Sequence, residues 1–185
     1  GKMNITWSHP RCNRHNKRFV RGTPTDDTSQ CILILRSIVD VNTRPSKSPT
    51  TFEIENVKID PCDFGQKLKE WIEKGHEEHK NYGGLGIGAT TLNVVKNPNF
   101  NHDPIKASKN AWLAGGRKAA PNGSVMRIAS SGCFGFWNEK IVVEIADCFT
   151  KTTHYDPRCI FSSIAAALLI ARYIQCNSGL VNSEP

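Results

Sequence analysis

A hydroxyl and two adjacent carboxylates, in the stretch Thr25-Asp26-Asp27-Thr28, are the groups with the clearest chemical potential in this chain. Adjacent carboxylates repel each other, and these two stand directly before an apolar helical pattern. They could face the positive end of the helix dipole. They could instead supply the oxygen ligands that a hard divalent cation such as magnesium prefers. The local sequence favours the helix-capping interpretation and leaves the metal site open.

A cluster of glycines, including Gly84, Gly86 and Gly88, precedes the helical stretch Ala89–Val95. Glycines let backbone N–H groups approach an anion, and a following helix N-terminus adds its dipole. The spacing matches a relaxed dinucleotide-binding fingerprint, but that motif must follow a strand, and the polar residues 75–82 predict none. An ordinary turn and an anion-binding turn are therefore both open, with the ordinary turn slightly favoured.

A second glycine-bearing loop, Asn122-Gly123-Ser124, leads into another predicted helix. No strands flank it, so its Asn-Gly pair does not indicate a hairpin. Arg127 follows closely and could pair with a phosphate or, more commonly, with a carboxylate of the chain. His154 stands just before the last predicted helix, where it could cap that helix or face a pocket.

Helical periodicity runs through most of the chain and predicts an all-α, multi-helix bundle in a single domain over residues 1–185. Prolines and glycines mark several helix starts and ends. Asp63 is the expected cap of a helix that ends near Gly75. Only Thr51–Ile59 alternates like a strand, and we expect it to be unstable without a partner strand. The other predicted helices are one after Thr25-Asp26-Asp27, Ala89–Val95, Pro104–Leu113, Val125–Ala129, one holding Ile141, Val142, Ile145 and Phe149, and one opened by Pro157 in which Ile160, Ile164, Ala167, Leu168 and Ala171 line one side.

The composition excludes several classes of protein. Seven cysteines without a Cys-x-x-Cys pair argue against a disulfide framework or a zinc ribbon. A zinc site would have to combine Cys12 and His15 with His76 and His79, and nothing in the sequence brings them together. No apolar run reaches the roughly 20 residues of a membrane span, and no signal peptide is evident. These features predict an intracellular protein, cytoplasmic or nuclear, with no membrane partner.

Basic residues are concentrated between positions 11 and 21, and the net charge of the chain is +7. Such a run can bind nucleic acid, but no nucleic-acid-binding motif accompanies it. A solvated loop is therefore the favoured interpretation, and nucleic acid is not the expected partner. The oligomeric state is open.

Taken in order, these motifs resemble the ADP-ribosylglycohydrolase and J1-crystallin family along nearly the whole chain. The resemblance begins with Arg18-Phe19-Val20-Arg21-Gly22 leading to Thr-Asp-Asp-Thr. It continues through Asp63-Phe64-Gly65-Gln66-Lys67-Leu68 and the Gly-Leu-Gly-Ile-Gly-Ala-Thr turn. It ends with Asn-Gly-Ser-Val-Met-Arg and Thr-His-Tyr-Asp-Pro-Arg. Each motif is weak by itself, and the ordered set is specific.

The resemblance implies a helical fold with a pair of Mg²⁺ or Mn²⁺ ions at the base of an ADP-ribose cleft. Thr25, Asp26 and Asp27 would be metal ligands, with the two aspartates catalytic. The remaining family positions would bind substrate around the diphosphate and ribose; these are Gly84, Gly86, Gly88, Asn122, Gly123, Ser124 and His154. The partner would be an ADP-ribosylated protein or a small ADP-ribosyl compound.

Two family motifs have no counterpart in this sequence. Family members carry a Gly-Asp-Ala-Leu-Gly helix upstream and a Gly-Asp-Thr-Asp-like motif downstream, and no Asp-x-Asp follows Asp27 here. The bundle is therefore expected to be incomplete at both ends, as a piece of a longer protein or as a degenerate member. The expected function is magnesium-dependent hydrolysis of an ADP-ribosyl linkage. The alternative is a non-catalytic, ADP-ribose-binding or crystallin-like structural relative.

Overall fold

The fold is helical, as predicted. The computed structural model describes residues 23–44, 49–76 and 83–179. Within these ranges a small antiparallel hairpin accompanies seven α-helices and a short 3-10 turn. In chain order the elements are α1 Asp26–Thr43, β1 Phe52–Ile54, β2 Val57–Ile59, α2 Pro61–Lys74, α3 Ala89–Val95, α4 Pro104–Ala114, the 3-10 turn Val125–Arg127, α5 Ala129–Phe134, α6 Glu139–Lys151 and α7 Pro157–Ser178.

Helix α1 starts at the predicted aspartates but buries a more polar face than its apolar residues suggested. Leu33, Ile34 and Ile38 are buried, whereas Leu35 and Val39, which the pattern also placed in the helix, are 36% and 51% exposed. The buried side also carries three polar side chains, Ser29, Gln30 and Ser37. This face therefore does more than fill the core, because Gln30 bonds a buried arginine described below.

The alternating segment 51–59 is a strand pair, which corrects the expectation that it would lack a partner. Its two halves pair with each other, with Phe52 opposite Ile59 and Ile54 opposite Val57. The two turn residues, Glu55 and Asn56, both have positive φ, at 49° and 66°. Positive φ at both central residues is the geometry of a two-residue hairpin turn. The sequence obscured this turn because it lacks the usual glycine.

Helix α2 is capped by Asp60 and not by Asp63, which corrects the predicted start. The Asp60 carboxylate accepts from the Cys62 N–H at 2.9 Å, and Pro61 occupies the first turn, where a missing N–H costs nothing. Asp63 lies one turn further on and accepts from the Lys67 ammonium at 2.8 Å. The helix ends before Gly75, as predicted.

Helices α6 and α7 pack most extensively against each other and carry the centre of the core. Four positions predicted to share a face of α6 are buried; they are Ile141, Val142, Ile145 and Phe149. Phe64 of α2 packs on Phe149 with ring centroids 5.1 Å apart. Fully burying a side chain of this size contributes roughly 1.5–3 kcal/mol. The Phe64–Phe149 contact therefore joins α2 to the packed α6–α7 pair.

Helix α5 approaches α7 very closely. A Cβ placed on Gly132 would lie 2.5 Å from the Ala167 carbonyl oxygen. Ala167 and Ala171 of α7 are fully buried, in agreement with the predicted face. The helix expected over Val125–Ala129 is in fact the 3-10 turn followed by α5. Small residues on both sides permit this contact.

The structure bears on three other sequence predictions, those about membrane spans, cysteines, and the basic run and zinc site. Within the described residues, α7 alone has the length and hydropathy of a membrane span, a weak criterion that core helices of soluble proteins also satisfy. The described cysteines are free, with Cys148 and Cys159 buried and Cys133 exposed. The basic run 11–21 lies outside the described residues. So do three of the four residues considered as zinc ligands, Cys12, His15 and His79.

Candidate active site

The Thr25-Asp26-Asp27 stretch forms the first turn of α1, and its side chains do not cap the helix in the usual way. Thr25 stands at the N-cap position without a side-chain hydrogen bond to the helix. Its hydroxyl instead donates to Asp27 Oδ2 at 3.2 Å. Asp26 is only 7% exposed, and Asp27 is exposed. The three oxygen-bearing side chains thus lie together at one helix end.

The surroundings of Asp26 disfavour the charged form of its carboxylate. Burial, followed by the charge of neighbouring Asp27, raises the pKa of Asp26 to about 6, although backbone N–H groups of the same turn act in the opposite direction. Among the described residues no lysine or arginine pairs with either aspartate. The ionised pair therefore has no counter-charge among the described residues, and binding of a divalent cation would relieve both burial and repulsion.

The glycine turn approaches this carboxylate directly. Gly86 has φ of +84°, and a Cβ at that position would lie 2.5 Å from Asp26 Oδ1. Gly84 also has positive φ, at +71°, and its carbonyl accepts from the Ile87 N–H at 3.1 Å. Only glycine meets both the backbone conformation and the space at position 86. We refer to Thr25, Asp26, Asp27 and Gly86 as the acidic half of the site.

The ends of the glycine turn are fixed in different ways. Gly83 packs on backbone carbonyls at the end of α2, where no side chain fits. Gly88 is the N-cap of α3, and a Cβ there would meet nothing within 4 Å. One end of the turn is thus held against α2, and the other opens onto free space beside the first turn of α3.

A second cluster forms where the Asn122-Gly123-Ser124 loop meets His154. A Cβ on Gly123 would lie 2.8 Å from His154 Nε2 and 3.7 Å from the hydroxyl of Thr91. Asn122 is exposed and its carbonyl accepts from the Met126 N–H at 3.1 Å. Ser124 faces the interior, where its hydroxyl accepts from Ser163 at 3.2 Å. Its side chain is therefore occupied, and its backbone N–H is what it can offer a ligand.

Arg127 is completely buried, and among the described residues it pairs with no carboxylate. Its Nη1 donates to Gln30 Oε1 at 2.7 Å, and its Nη2 donates to the Phe149 carbonyl at 2.6 Å and to Thr153 Oγ1 at 2.7 Å. Burial lowers the pKa of Arg127 to about 9, so it stays cationic at neutral pH. The expected internal salt bridge is replaced by neutral acceptors.

His154 continues this network. Its Nδ1 lies 2.8 Å from Thr153 Oγ1, and its backbone N–H donates to the Thr150 carbonyl at 2.8 Å. Burial, assisted by the Arg127 charge, lowers the pKa of His154 to about 3. The ring is therefore neutral at physiological pH. We refer to Gly123, Arg127, Thr153 and His154 as the histidine half of the site.

A cavity of about 130 Å³ lies against the histidine half. Of the buried polar atoms that have no hydrogen-bond partner among the described residues, two belong to residues that line this cavity, His154 Nε2 and the Ser108 hydroxyl. Buried polar atoms without partners are uncommon and call for water or a ligand. The remaining wall is formed by residues of α3, α4 and the loop before α7, including Thr90, Asn93, Trp112 and Tyr155.

Helix α3 connects the two halves. The glycine turn that touches Asp26 leads into α3, and Thr91 in its first turn faces Gly123. The structure thus brings Gly86 to Asp26, brings Gly123 to His154, and links the pairs through one short helix. Within the described residues no three His, Cys, Asp or Glu side chains cluster as a closed metal site. Thr25, Asp26 and Asp27 fit a hard cation by donor type and supply about half of an octahedron.

Several supporting residues escaped the sequence analysis. Gln30 and Thr153 bond Arg127, and Thr91 borders Gly123. Gln30 and Thr91 are polar residues within helices, and Thr153 lies in the turn after α6, so none of the three stood out in the sequence. Asp156 caps α7 and also accepts from the Trp112 indole at 2.9 Å. Arg158 and Trp112 hold the pKa of Asp156 well below its usual range. The Asp-Pro pair at a helix start was the available signal for this anchor of the His154 loop.

Comparison with known proteins identifies a family for this chain. A family model described as ADP-ribosylglycohydrolase matches residues 3–184, nearly the whole chain. Searches of curated proteins and of solved structures returned no match. The helical architecture is what the motif order predicted for that family. The chain belongs to the ADP-ribosylglycohydrolase family.

Proposed function

We propose that this chain carries the centre of a magnesium-dependent hydrolase that cleaves the glycosidic bond between ADP-ribose and a protein side chain or a small leaving group. Membership in the family supports a glycohydrolase acting on ADP-ribose linkages in general. The observation that carries the finer proposal is the contact of Gly86 with the Asp26 carboxylate. It supports the assignment of anion binding to the glycine turn and of cation binding to the carboxylates beside it.

The acidic half would hold the metal, Mg²⁺ or Mn²⁺. Thr25 offers a hydroxyl, and Asp26 and Asp27 offer carboxylates that no described cation neutralises. When bound, the metal supplies positive charge that orients ribose hydroxyls and lowers the pKa of a water. Asp26 and Asp27 are the proposed catalytic residues, because they lie where the sugar and that water would be placed. Their own part is to fix both groups relative to the scissile bond.

The glycine turn and the Asn122-Gly123-Ser124 loop would hold the diphosphate and the adjoining ribose. Gly84, Gly86 and Gly88 leave backbone N–H groups free of side chains, and the α3 N-terminus adds its positive dipole end. Asn122 contributes an exposed amide, Gly123 and Ser124 contribute backbone, and His154 contributes a ring nitrogen. Two glycine-containing loops linked through α3 suit an elongated ligand in which a sugar adjoins a diphosphate.

Cleavage would pass through an oxocarbenium-like state at the anomeric carbon. Little covalent chemistry is then required of the protein, and most of the rate enhancement comes from holding sugar and water in a reactive geometry. The two tight glycine contacts serve this purpose, since each leaves little room for the loop to shift.

Calorimetric titration of the full chain with Mg²⁺ and Mn²⁺, with and without ADP-ribose, tests the proposal together with a hydrolysis assay on ADP-ribosylated protein. Tight metal binding that ADP-ribose strengthens, with turnover, is the expected result. No measurable metal binding by this chain overturns the proposal that it is active as given.

A second function is favoured by one observation, the supply of only three oxygen ligands from the described residues of the acidic half. A half-made metal site suits a non-catalytic relative that binds ADP-ribose or is purely structural. In that case ADP-ribose binding without metal enhancement and without turnover is expected. The same titration distinguishes the two functions.

A further inference from the structure

The hydrogen atoms of Arg127 determine how Thr153 must be oriented. A guanidinium can only donate. The two hydrogens on Nη2 are directed at the Phe149 carbonyl, 2.6 Å away, and at Thr153 Oγ1, 2.7 Å away. Thr153 Oγ1 therefore accepts from Arg127, and the hydrogen of its own hydroxyl is left to be donated elsewhere.

The only described acceptor bonded to that hydroxyl is the His154 ring. Thr153 Oγ1 lies 2.8 Å from His154 Nδ1, and both side chains are buried. If Nδ1 carried a proton, the hydroxyl hydrogen would be buried without an acceptor, which is unfavourable. The hydroxyl thus donates, and Nδ1 accepts with its lone pair.

A neutral ring whose Nδ1 accepts must carry its proton on Nε2. That nitrogen is buried and has no partner among the described residues. It faces the position where a Gly123 side chain would begin, 2.8 Å away, and its ring lines the 130 Å³ cavity. We refer to the hydrogen bonds from Arg127 through Thr153 to His154 as the relay. The relay therefore ends in an N–H group that has no partner among the described residues and is directed at the loop that would hold the ligand.

We propose that Arg127 and Thr153 fix His154 as the neutral Nε2–H tautomer, so that His154 donates a hydrogen bond to an acceptor oxygen of the bound ligand and does not act as a base. Arg127 and Thr153 are positioning residues in this arrangement, since they act through His154. The identity of the ligand as ADP-ribose, whose ribose and phosphate oxygens are acceptors, rests on the proposed function. The tautomer itself does not.

Long-range ¹H–¹⁵N NMR of the full chain, with ring-¹⁵N histidine at pH 7, measures the tautomer directly. The His154→Gln variant identifies the signals of His154. The expected spectrum shows a protonated Nε2 and an unprotonated Nδ1. A protonated Nδ1, a mixture of tautomers or a ring that becomes charged near pH 6.5 overturns the proposal.

Thr153→Val removes the hydroxyl at nearly constant volume, and Thr153→Ser keeps it. We expect Thr153→Val to give a mixture of tautomers and about tenfold weaker ADP-ribose binding. We expect Thr153→Ser to show the single tautomer and the ADP-ribose affinity of the unsubstituted chain. Thr152→Val is the matched control, because the one partner of the Thr152 hydroxyl among the described residues is the Cys148 carbonyl, at 3.1 Å. Equal effects at positions 152 and 153, or no rescue by Ser, contradict a specific relay.

The two readouts separate the relay from the proposed function. If the chain does not bind ADP-ribose at all, the proposed function fails, and the ligand-free spectrum still decides the tautomer. If ADP-ribose binds normally but the tautomer is wrong, the relay fails alone. If Thr153→Val does not fold, the spectra of the unsubstituted chain and of Thr153→Ser still decide the proposal.

Discussion

In the acidic half of the site two like charges lie side by side with no described cation, whereas in the histidine half a buried cation lies among neutral acceptors. The first half raises the pKa of Asp26 to about 6, and the second lowers that of His154 to about 3. Within the part of the chain that the structure describes, each half therefore lacks a charge of opposite sign. A metal ion would supply one, and a phosphate-bearing ligand would supply the other. The difference is what the proposed function requires, since a metal ion and a phosphate-bearing ligand would then bind at opposite halves of one site.

The largest expected effect is on turnover when the acidic half loses a charge. Asp26→Asn or Asp27→Asn should lower the hydrolysis rate by about a hundredfold or more, since even residues that only support a metal ligand cost 10–100-fold. The fold should survive, because Asp26→Asn removes a buried charge. Hydrolysis assays and thermal unfolding measure the two effects.

Asp147→Asn is the control for that experiment. Asp147 pairs with Lys151 on the outside of α6, at 2.7 Å, and its loss should leave turnover unchanged. Full activity in either Asp26→Asn or Asp27→Asn would show that the metal assignment is wrong.

The histidine half should respond most strongly in stability. Arg127→Met leaves Gln30 Oε1 and the Phe149 carbonyl without their donor, and we expect the free energy of unfolding to fall by about 3 kcal/mol. Urea denaturation measures this. Arg172→Met removes an exposed pair with Glu139 at 2.6 Å and should cost less than about 1 kcal/mol. Similar losses for both variants would contradict the importance of the buried network.

Gly86→Ala tests the contact on which the acidic half depends. The positive φ and the collision with Asp26 together should lower the free energy of unfolding by about 2 kcal/mol and weaken Mg²⁺ binding. Gly116→Ala has a similar φ, +68°, with nothing nearby, so it measures backbone strain alone. Gly88→Ala should leave the free energy of unfolding nearly unchanged. Mg²⁺ affinity unchanged in Gly86→Ala would place the metal elsewhere.

The two halves should also respond to pH with opposite signs. The folded pKa of His154 is depressed, so its contribution is complete above the unfolded value near 6.5 and decreases as pH falls towards 3, by about 2 kcal/mol at pH 5. The folded pKa of Asp26 is raised, so its burial is unfavourable above about pH 6 and becomes acceptable as pH falls from 6 towards 4. The two effects partly cancel in the metal-free chain.

Urea denaturation across pH 4.5–7.5 measures this cancellation. His154→Gln should flatten the acid loss of stability or reverse it, and Asp26→Asn should steepen it. Parallel profiles for the two variants would mean that the halves do not differ in the way described.

The sequence predicted most helices because hydrophobic periodicity and Pro/Gly boundaries are local signals. It failed where the structure depends on packing and on contacts between distant parts of the chain. The Glu55-Asn56 turn carries no glycine, and Asp60 competes with Asp63 as a cap three residues away. At the site, the glycines were visible in the sequence, but the contacts of Gly86 with Asp26 and of Gly123 with His154 join residues far apart in the chain. Gln30 and Thr153 gave no local signal, because only the fold shows that they surround Arg127.

The buried charge of Arg127 has a consequence for how binding depends on ionic strength. Dissolved ions screen exposed charges over roughly 8–10 Å at physiological salt, but they screen an interior charge much less. The guanidinium is fully enclosed, so its field acts on the His154 ring at nearly constant strength in dilute and in concentrated salt. An anion held at the histidine half should therefore keep most of its affinity when salt is added, unlike an anion attracted by basic side chains on a protein surface.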